Sequence, residues 1–316
     1  MAPVTDERLT ELTDKLENGI KELYASGRYA EYLAAMSKFH QYSFGNALLI
    51  LFQCPTATHV AGYGTWKKEF GRHVKAQEHG IKIIAPCPYQ RAVQQEKKDP
   101  ATGQPLYGMD GKVITETKYV PATKFKVATV FDVSQTEGRA LPNIGVSELT
   151  GGVADFAAIY ERLAELSPLP VEQGPVPGAA KGYASFLEQR IVIRPGMSEV
   201  QTIKTLVHEI AHAKLHDPDL LPPEERKQRR EKEVEAESVA YVVCQHFGIE
   251  TSDYSFGYVA GWSKGKELAE LKDSLDRIHS AASELINAIQ PPPPVHEREG
   301  REQSHRPFPK QKTKRK

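Results

Sequence analysis

The run His208-Glu209-Ile210-Ala211-His212 sets two imidazoles four residues apart with a carboxylate between them. On an α-helix, residues four apart lie one above the other, so both rings leave the same face and can share a metal ion. Two neutral imidazoles and a carboxylate suit zinc and leave a fourth position for water. Glu209 adjoins the histidines without being spaced to join them, which is the place for a general base. The alternative is a helix whose histidines hydrogen-bond in a core, and that would bury two imidazoles and a glutamate at high cost. His216 extends the row by four more residues. Its spacing departs from the H-E-x-x-H-x-x-G-x-x-H pattern, so it is expected to end the helix, where the dipole favours a cation. As a fourth ligand it would instead close the site into a structural one.

A third ligand must come from elsewhere, and Glu233-Val234-Glu235-Ala236-Glu237 is the obvious donor. Ala236, Ala240, Val243 and Phe247 form an apolar helical stripe that Glu233 extends by three residues. Glu235 points nearly the opposite way. The pattern therefore predicts Glu233 as ligand, Glu237 as acceptor for the N–H of a metal-bound imidazole, and Glu235 on a solvated face.

These residues need elements to hold them. Ser198 can cap a helix, with Gln201 as its capping-box partner, running to about His216 and stopped by Asp217-Pro218,. Short strands are expected at 183–186 and 190–193, and helices at 152–166, 223–247 and 264–289. Upstream, Leu9, Leu12, Leu16, Ile20 and Leu23 mark one helical face. A second helix is expected over 29–52, ending before Cys54-Pro55. Strands follow at 58–62, 81–85 and 126–133, with 96–118 as a polar hairpin or loop. A break at 142–150 separates two domains, 1–141 and 142–290. Residues 291–316 open on four prolines and are then rich in Lys and Arg, so they read as a disordered basic tail,.

A chain of 316 residues has room for two domains,. Its formal net charge of zero gives no global field toward nucleic acid or membrane, so such a partner must be met by a local patch,. Cys54, Cys87 and Cys244 are odd in number and far apart, which argues against disulfides and thiolate zinc sites,. Asp6, Glu7 and Arg8 stand where a signal peptide needs an apolar run, and no stretch has membrane-spanning length, so a cytoplasmic protein without a membrane partner is expected,. One local patch exists. Between Val60 and Arg91, Lys67, Lys68, Arg72, Lys75, Lys82 and Arg91 face only Glu69 and Glu78, with Tyr63 and Trp66 interleaved. Cations that track phosphates beside aromatics that stack on bases are what single-stranded nucleic acid needs.

Gly182-Tyr183, Ile191-Val192-Ile193, the stretch 205–212 and Glu233-x-x-Ala236 resemble the ImmA/IrrE-type zincin peptidases, over roughly 152–262. In that family a short β-hairpin precedes the H-E-x-x-H helix, and a glutamate of an E-x-x-A helix completes the site. The resemblance implies His208, His212 and Glu233 as Zn2+ ligands and Glu209 as catalytic base. It also implies an oxyanion-stabilising aromatic such as Tyr254 or Tyr258. Further upstream, Tyr42-Ser43-x-x-Asn46, Ala61-Gly62-Tyr63-x-Thr65-Trp66, Gly71-Arg72-x-Val74, Gly80-Ile81 and the stretch 130–136 resemble the N-terminal domain of ArdC-type antirestriction proteins. That domain binds single-stranded DNA and precedes a zincin-like domain. His79 and the insertion near 96–118 depart from the pattern. This second resemblance implies DNA contacts at Asn46, Trp66, Lys67, Arg72 and Lys75.

The expected fold class is α+β, a mixed helix and small-sheet domain followed by a zincin-like metallopeptidase domain carrying the H-E-x-x-H helix. The expected function is that of a mobile-element protein that binds single-stranded DNA and protects it from restriction. Its zinc peptidase site would act on an unidentified protein substrate. The competing expectation is a non-catalytic protein that binds single-stranded DNA or a restriction enzyme and whose zinc is structural.

Overall fold

Three helices open the chain: α1 (Glu7–Ala25), α2 (Tyr29–Lys38) and α3 (Phe44–Gln53). Where the pattern predicts one helix over 29–52, there are two. Ser43 starts the second, its hydroxyl accepting from the Asn46 N–H as an N-cap,. The computed structural model describes residues 7–100, 102–141, 153–223, 226–249, 256, 259, 263 and 266–290. The tail from 291 lies outside them.

After α3 come β1 (Val60–Gly62), α4 (Tyr63–Lys68), β2 (Arg72–Val74), β3 (Ile81–Glu96), β4 (Thr115–Asp132) and β5 (Thr136–Gly138). The polar segment is the far end of a long hairpin, with β3 and β4 paired from Ile81↔Val130 out to Glu96↔Thr115. β1 adds to the other side of β4. The outer edge of β3 is closed from α3. Asn46 donates to the Ile84 carbonyl and accepts from its N–H, at 2.8 and 2.9 Å, and Gln53 does the same for Lys82. The next outward-facing positions are Pro86 and Pro88, which have no N–H to offer a further strand,.

The second half holds α5 (Val153–Leu166), β6 (Val171–Gln173), β7 (Gly182–Ser185), β8 (Arg190–Ile193), α6 (Glu199–Leu215), α7 (Arg229–His246) and α8 (Leu268–Ile289). β8 is central in a three-stranded sheet, with β6 parallel on one side and β7 antiparallel on the other. α6 packs against this sheet, and α7 packs against α6, α8 and α2. Leu33, Met36 and Leu48 of the first helices share one buried cluster with Ile210, Val239, Leu275 and Ile278. No helix among the described residues is long and apolar enough to cross a membrane.

Polar contacts stitch the two halves together. The Tyr29 hydroxyl lies 3.0 Å from Ser238 Oγ, His246 Nδ1 lies 2.9 Å from the Ser37 carbonyl, and the Ser283 hydroxyl donates to the His40 carbonyl at 2.8 Å. The His40 and His246 rings meet nearly perpendicular, 4.7 Å apart. Burial, and then the neighbouring His246, push the His40 imidazole down to about 4. Burial lowers His279 in the same cluster. An unfolded histidine takes a proton near pH 6.5. The stability tied to a neutral His40 is therefore complete above that pH and is lost as pH falls toward about 4,. The melting temperature followed from pH 7.5 to 4.5 is expected to drop steeply, and less steeply in His40→Gln. Parallel curves would exclude His40 as the titrating group.

Candidate metal centre

α6 begins as the sequence predicts, with the Ser198 hydroxyl accepting from the Gln201 N–H. Its His208 and His212 rings bring their Nε2 atoms to 3.1 Å of one another. Glu233, in the second turn of α7, places Oε2 3.5 Å from the first and 3.7 Å from the second. All three donor atoms lie within 4.8 Å of one another. The corners of a tetrahedron with zinc bonds of about 2.0–2.1 Å are roughly 3.3 Å apart. The donors thus stand at ligand spacing and are of the chemical type zinc takes. Hydrogen bonds from His208 and His212 hold the Glu233 carboxyl well below the usual carboxylate range. For His208, burial works downward, but Glu233 and the charge of Glu209 outweigh it and raise the imidazole.

Glu209 is buried at 8% exposure, beside β7. Burial raises its carboxyl above the ordinary value, partly offset by His208 and His212 and by a hydrogen bond with the Ala184 backbone. A carboxylate kept basic at the wall of an open cleft is suited to take a proton. That cleft is about 900 Å³ and lies between β7, α6 and α7. Close packing of β7 on α6 requires Gly182, since a Cβ there would stand 2.8 Å from Thr205 Cγ2 and 3.1 Å from the Val192 carbonyl oxygen.

Behind the three donors lies a chain of contacts that the sequence pattern misassigns. Glu235 is not on a solvated face but fully buried, at 0% exposure. Its Oε2 is 3.0 Å from His216 Nε2, its Oε1 is 3.1 Å from Lys227 Nζ, and Arg277 of α8 approaches within 3.5 Å. His216 Nδ1 is in turn 3.0 Å from His212 Nδ1. Burial favours the protonated Glu235 carboxyl, but His216, Lys227 and Arg277 outweigh it and hold the group below its usual value. An ionised carboxylate only accepts, so His216 donates from Nε2 and presents a bare Nδ1. His212 must then donate from Nδ1, which leaves its Nε2 lone pair aimed at the metal position. His216 does end α6, but burial lowers its imidazole, so it is neutral rather than a dipole-stabilised cation. It also stands on the far side of the His212 ring from the donor cluster. The misassignment has a simple cause: one apolar stripe assigns one buried face, whereas α7 is covered by α2, α6 and α8.

The remaining sequence candidates divide. Glu237 lines the cleft, where its charge raises His208. Of the stretch 254–262 only Phe256 and Val259 are described, so Tyr254 and Tyr258 lie outside the described residues. Among the expected DNA contacts, Asn46 is buried and spends its amide on β3. Trp66 is 1% exposed and donates Nε1–H to the Phe131 carbonyl at 2.9 Å, so it is a core residue with no free face. Arg72 straps β2 to β5 through Thr136 and the Arg139 carbonyl. Lys75 reaches the Ser134 carbonyl, and Lys67 stands exposed on α4. Among the described residues the large aromatics that face solvent are others: Tyr63, Tyr89, Tyr107, Tyr119 and Phe125.

Residues 2–131 match the family model for the N-terminal domain of anti-restriction factor ArdC. An uncharacterized protein of Bacillus anthracis is 30% identical over 312 residues, which cover 90% of this chain and 51% of that protein. The chain thus spans about half the length of this curated relative. Two crystal structures of the antirestriction protein ArdC from plasmid R388 are also similar. The metal-free one is 22% identical with a TM-score of 0.43, covering 78% of this chain and 81% of that one. The Mn(II)-bound one is 18% identical with a TM-score of 0.44, covering 78% and 83%.

The His216–Glu235 support gives a direct expectation. His216→Leu should lower stability by leaving buried Glu235 short of a donor, and in the folded protein weaken metal binding about 10–100-fold, the usual effect of losing an outer hydrogen bond to a ligand,. Competition with a chromophoric chelator reads this, and an unchanged affinity would show that His216 does not orient His212.

Proposed function

We propose that this chain is an antirestriction protein that binds single-stranded DNA and carries a zinc-dependent peptidase site. The match of residues 2–131 to the ArdC N-terminal domain supports the antirestriction half. The peptidase half rests on one observation, the convergence of His208 Nε2, His212 Nε2 and Glu233 Oε2 beside a buried, basic Glu209. Three protein donors, with His216 turned away, leave a fourth position open, which favours a catalytic over a structural metal,.

A bound zinc ion would supply Lewis-acid polarisation of a peptide carbonyl and make water more acidic. The residues do the rest. β7 is the edge strand of its sheet and lines the cleft at Gly182, Tyr183 and Ala184, so an extended peptide can add alongside it and present its backbone to the site,. Glu209 takes a proton from the attacking water and returns it to the leaving amine. Glu233 and the two histidines hold the ion, and His216 with Glu235 keeps His212 in the tautomer that can do so.

The single strand is assigned to the solvent-facing aromatics. Tyr119 and Phe125 are 67% and 57% exposed on the β3–β4 arm, and Lys124 Nζ lies 5.8 Å from the centre of the exposed Tyr89 ring. Lys67 beside Tyr63 on α4 extends the surface.

Two experiments test the halves separately. Glu209→Gln should retain zinc and lose peptide hydrolysis by about 10²–10⁴-fold, followed by mass spectrometry of a denatured protein substrate. A fully active variant excludes Glu209 as the base. In fluorescence anisotropy, the full chain should bind labelled single strands more tightly than duplex, with affinity falling as salt rises. Tyr119→Ala with Phe125→Ala should cost about 1–3 kcal/mol for each stacked base lost. Equal binding by the double variant removes the arm from the interface.

A further inference from the structure

We propose that the cleft above the metal centre selects an acidic peptide segment, held by a cationic rim in which Arg229 and Lys232 are the specificity-determining pair. The identity of the occupant as a peptide rests on the peptidase reading above; the charge preference rests on the rim itself.

Five cationic side chains line the cleft: Lys181, Lys204, Lys227, Arg229 and Lys232. Its lining carboxylates are Glu209, Glu233 and Glu237, and all three act electrostatically on His208. The negative charge is therefore gathered at the metal position, where a bound cation would offset it, and the surrounding wall is left positive. Clefts lined by one sign of charge concentrate substrates of the other.

The five cations are not equivalent. Lys227 is committed to Glu235 and Asp273, each at 3.1 Å, and Lys181 hydrogen-bonds Gln201. Lys204 is buried. Arg229 and Lys232 have no side-chain partner among the described residues, and both belong to the first turn of α7. That turn is where the helix dipole disfavours cations. Arg229, Arg230 and Lys232 there oppose helix stability, with Glu231 as the lone acid in the turn. For Arg229 and Lys232, which line the cleft, a negatively charged occupant would offset that cost,.

An acidic peptide satisfies both features of the cleft. Its backbone can pair with the edge of β7, and its alternate side chains then fall toward the rim on a two-residue repeat. A nucleic-acid strand would satisfy the cations but has no amide ladder for β7.

The test uses full-length, zinc-loaded Glu209→Gln protein, so that binding is read without turnover. Three labelled peptides of equal length, rich in Asp and Glu, uncharged, or rich in Lys and Arg, are titrated by anisotropy. The acidic peptide is expected to bind about tenfold or more tightly than the uncharged one, the basic peptide more weakly than both, and the preference to shrink as salt is raised. Adding Arg229→Glu and Lys232→Glu should abolish the preference, with zinc content unchanged and the melting temperature no lower. Equal affinity for all three peptides overturns the proposal, as does a preference that survives the double reversal. Displacement of the acidic peptide by an unlabelled single-stranded oligonucleotide, lost on the same reversal, would make the cleft a nucleic-acid groove and also overturns it. Failure of the peptidase reading is distinguishable. Acidic-peptide binding without hydrolysis by the unsubstituted protein refutes catalysis alone, whereas hydrolysis without charge preference refutes the rim alone.

Discussion

A carboxylate with no access to water must be surrounded by donors and cations, and Glu235 imposes that demand on the whole second half of the chain. Its partners come from three places: His216 at the end of α6, Lys227 just before α7, and Arg277 on α8. Satisfying one buried charge therefore fixes three helices relative to one another. Removing a single partner from such a cluster is far more damaging than replacing the whole set by apolar residues of matching shape. The arrangement also has a direction. Proton order runs from Glu235 through His216 to His212, so the same charge that locks the helices sets which nitrogen of His212 is free.

What could be read in the sequence follows the range of the interactions involved. The His208–His212 pair is a local feature, fixed by helical periodicity whatever lies around it, and α6 presents it as expected. Glu233 was legible because it lies on the stripe that packs toward α6. Glu235 was not, because periodicity describes a helix with one covered face, and α7 has several. A usable signal did exist: His216 needs a partner if it is buried, and a glutamate between Val234 and Ala236 on a facing helix is placed to supply one.

In the first half the failure has a different origin. Composition counts cations and aromatics but does not say what they already hold. Asn46 and Arg72 look like side chains waiting for a ligand, yet their hydrogen-bonding groups are spent on β3 and on the β2–β5 pair. Trp66 is one of the largest fully buried side chains. The length of β3 and β4 was hidden too, because their outer residues face solvent on both sides and carry no alternating apolar pattern.

The two strand edges are guarded to different degrees. Along the base of β3, from Lys82 to Pro88, two side-chain amides and two prolines leave a passing chain no hydrogen bonds to make. β7 is engaged at one point of its free edge, where the Ala184 backbone meets Glu209, and lines the cleft beside the donor cluster. The base of the long ribbon therefore offers a colliding polypeptide nothing to pair with, whereas the cleft strand keeps part of its edge available. Promiscuous sticking, the usual hazard of an open edge, is thereby lessened at the root of the ribbon and left beside the donor cluster.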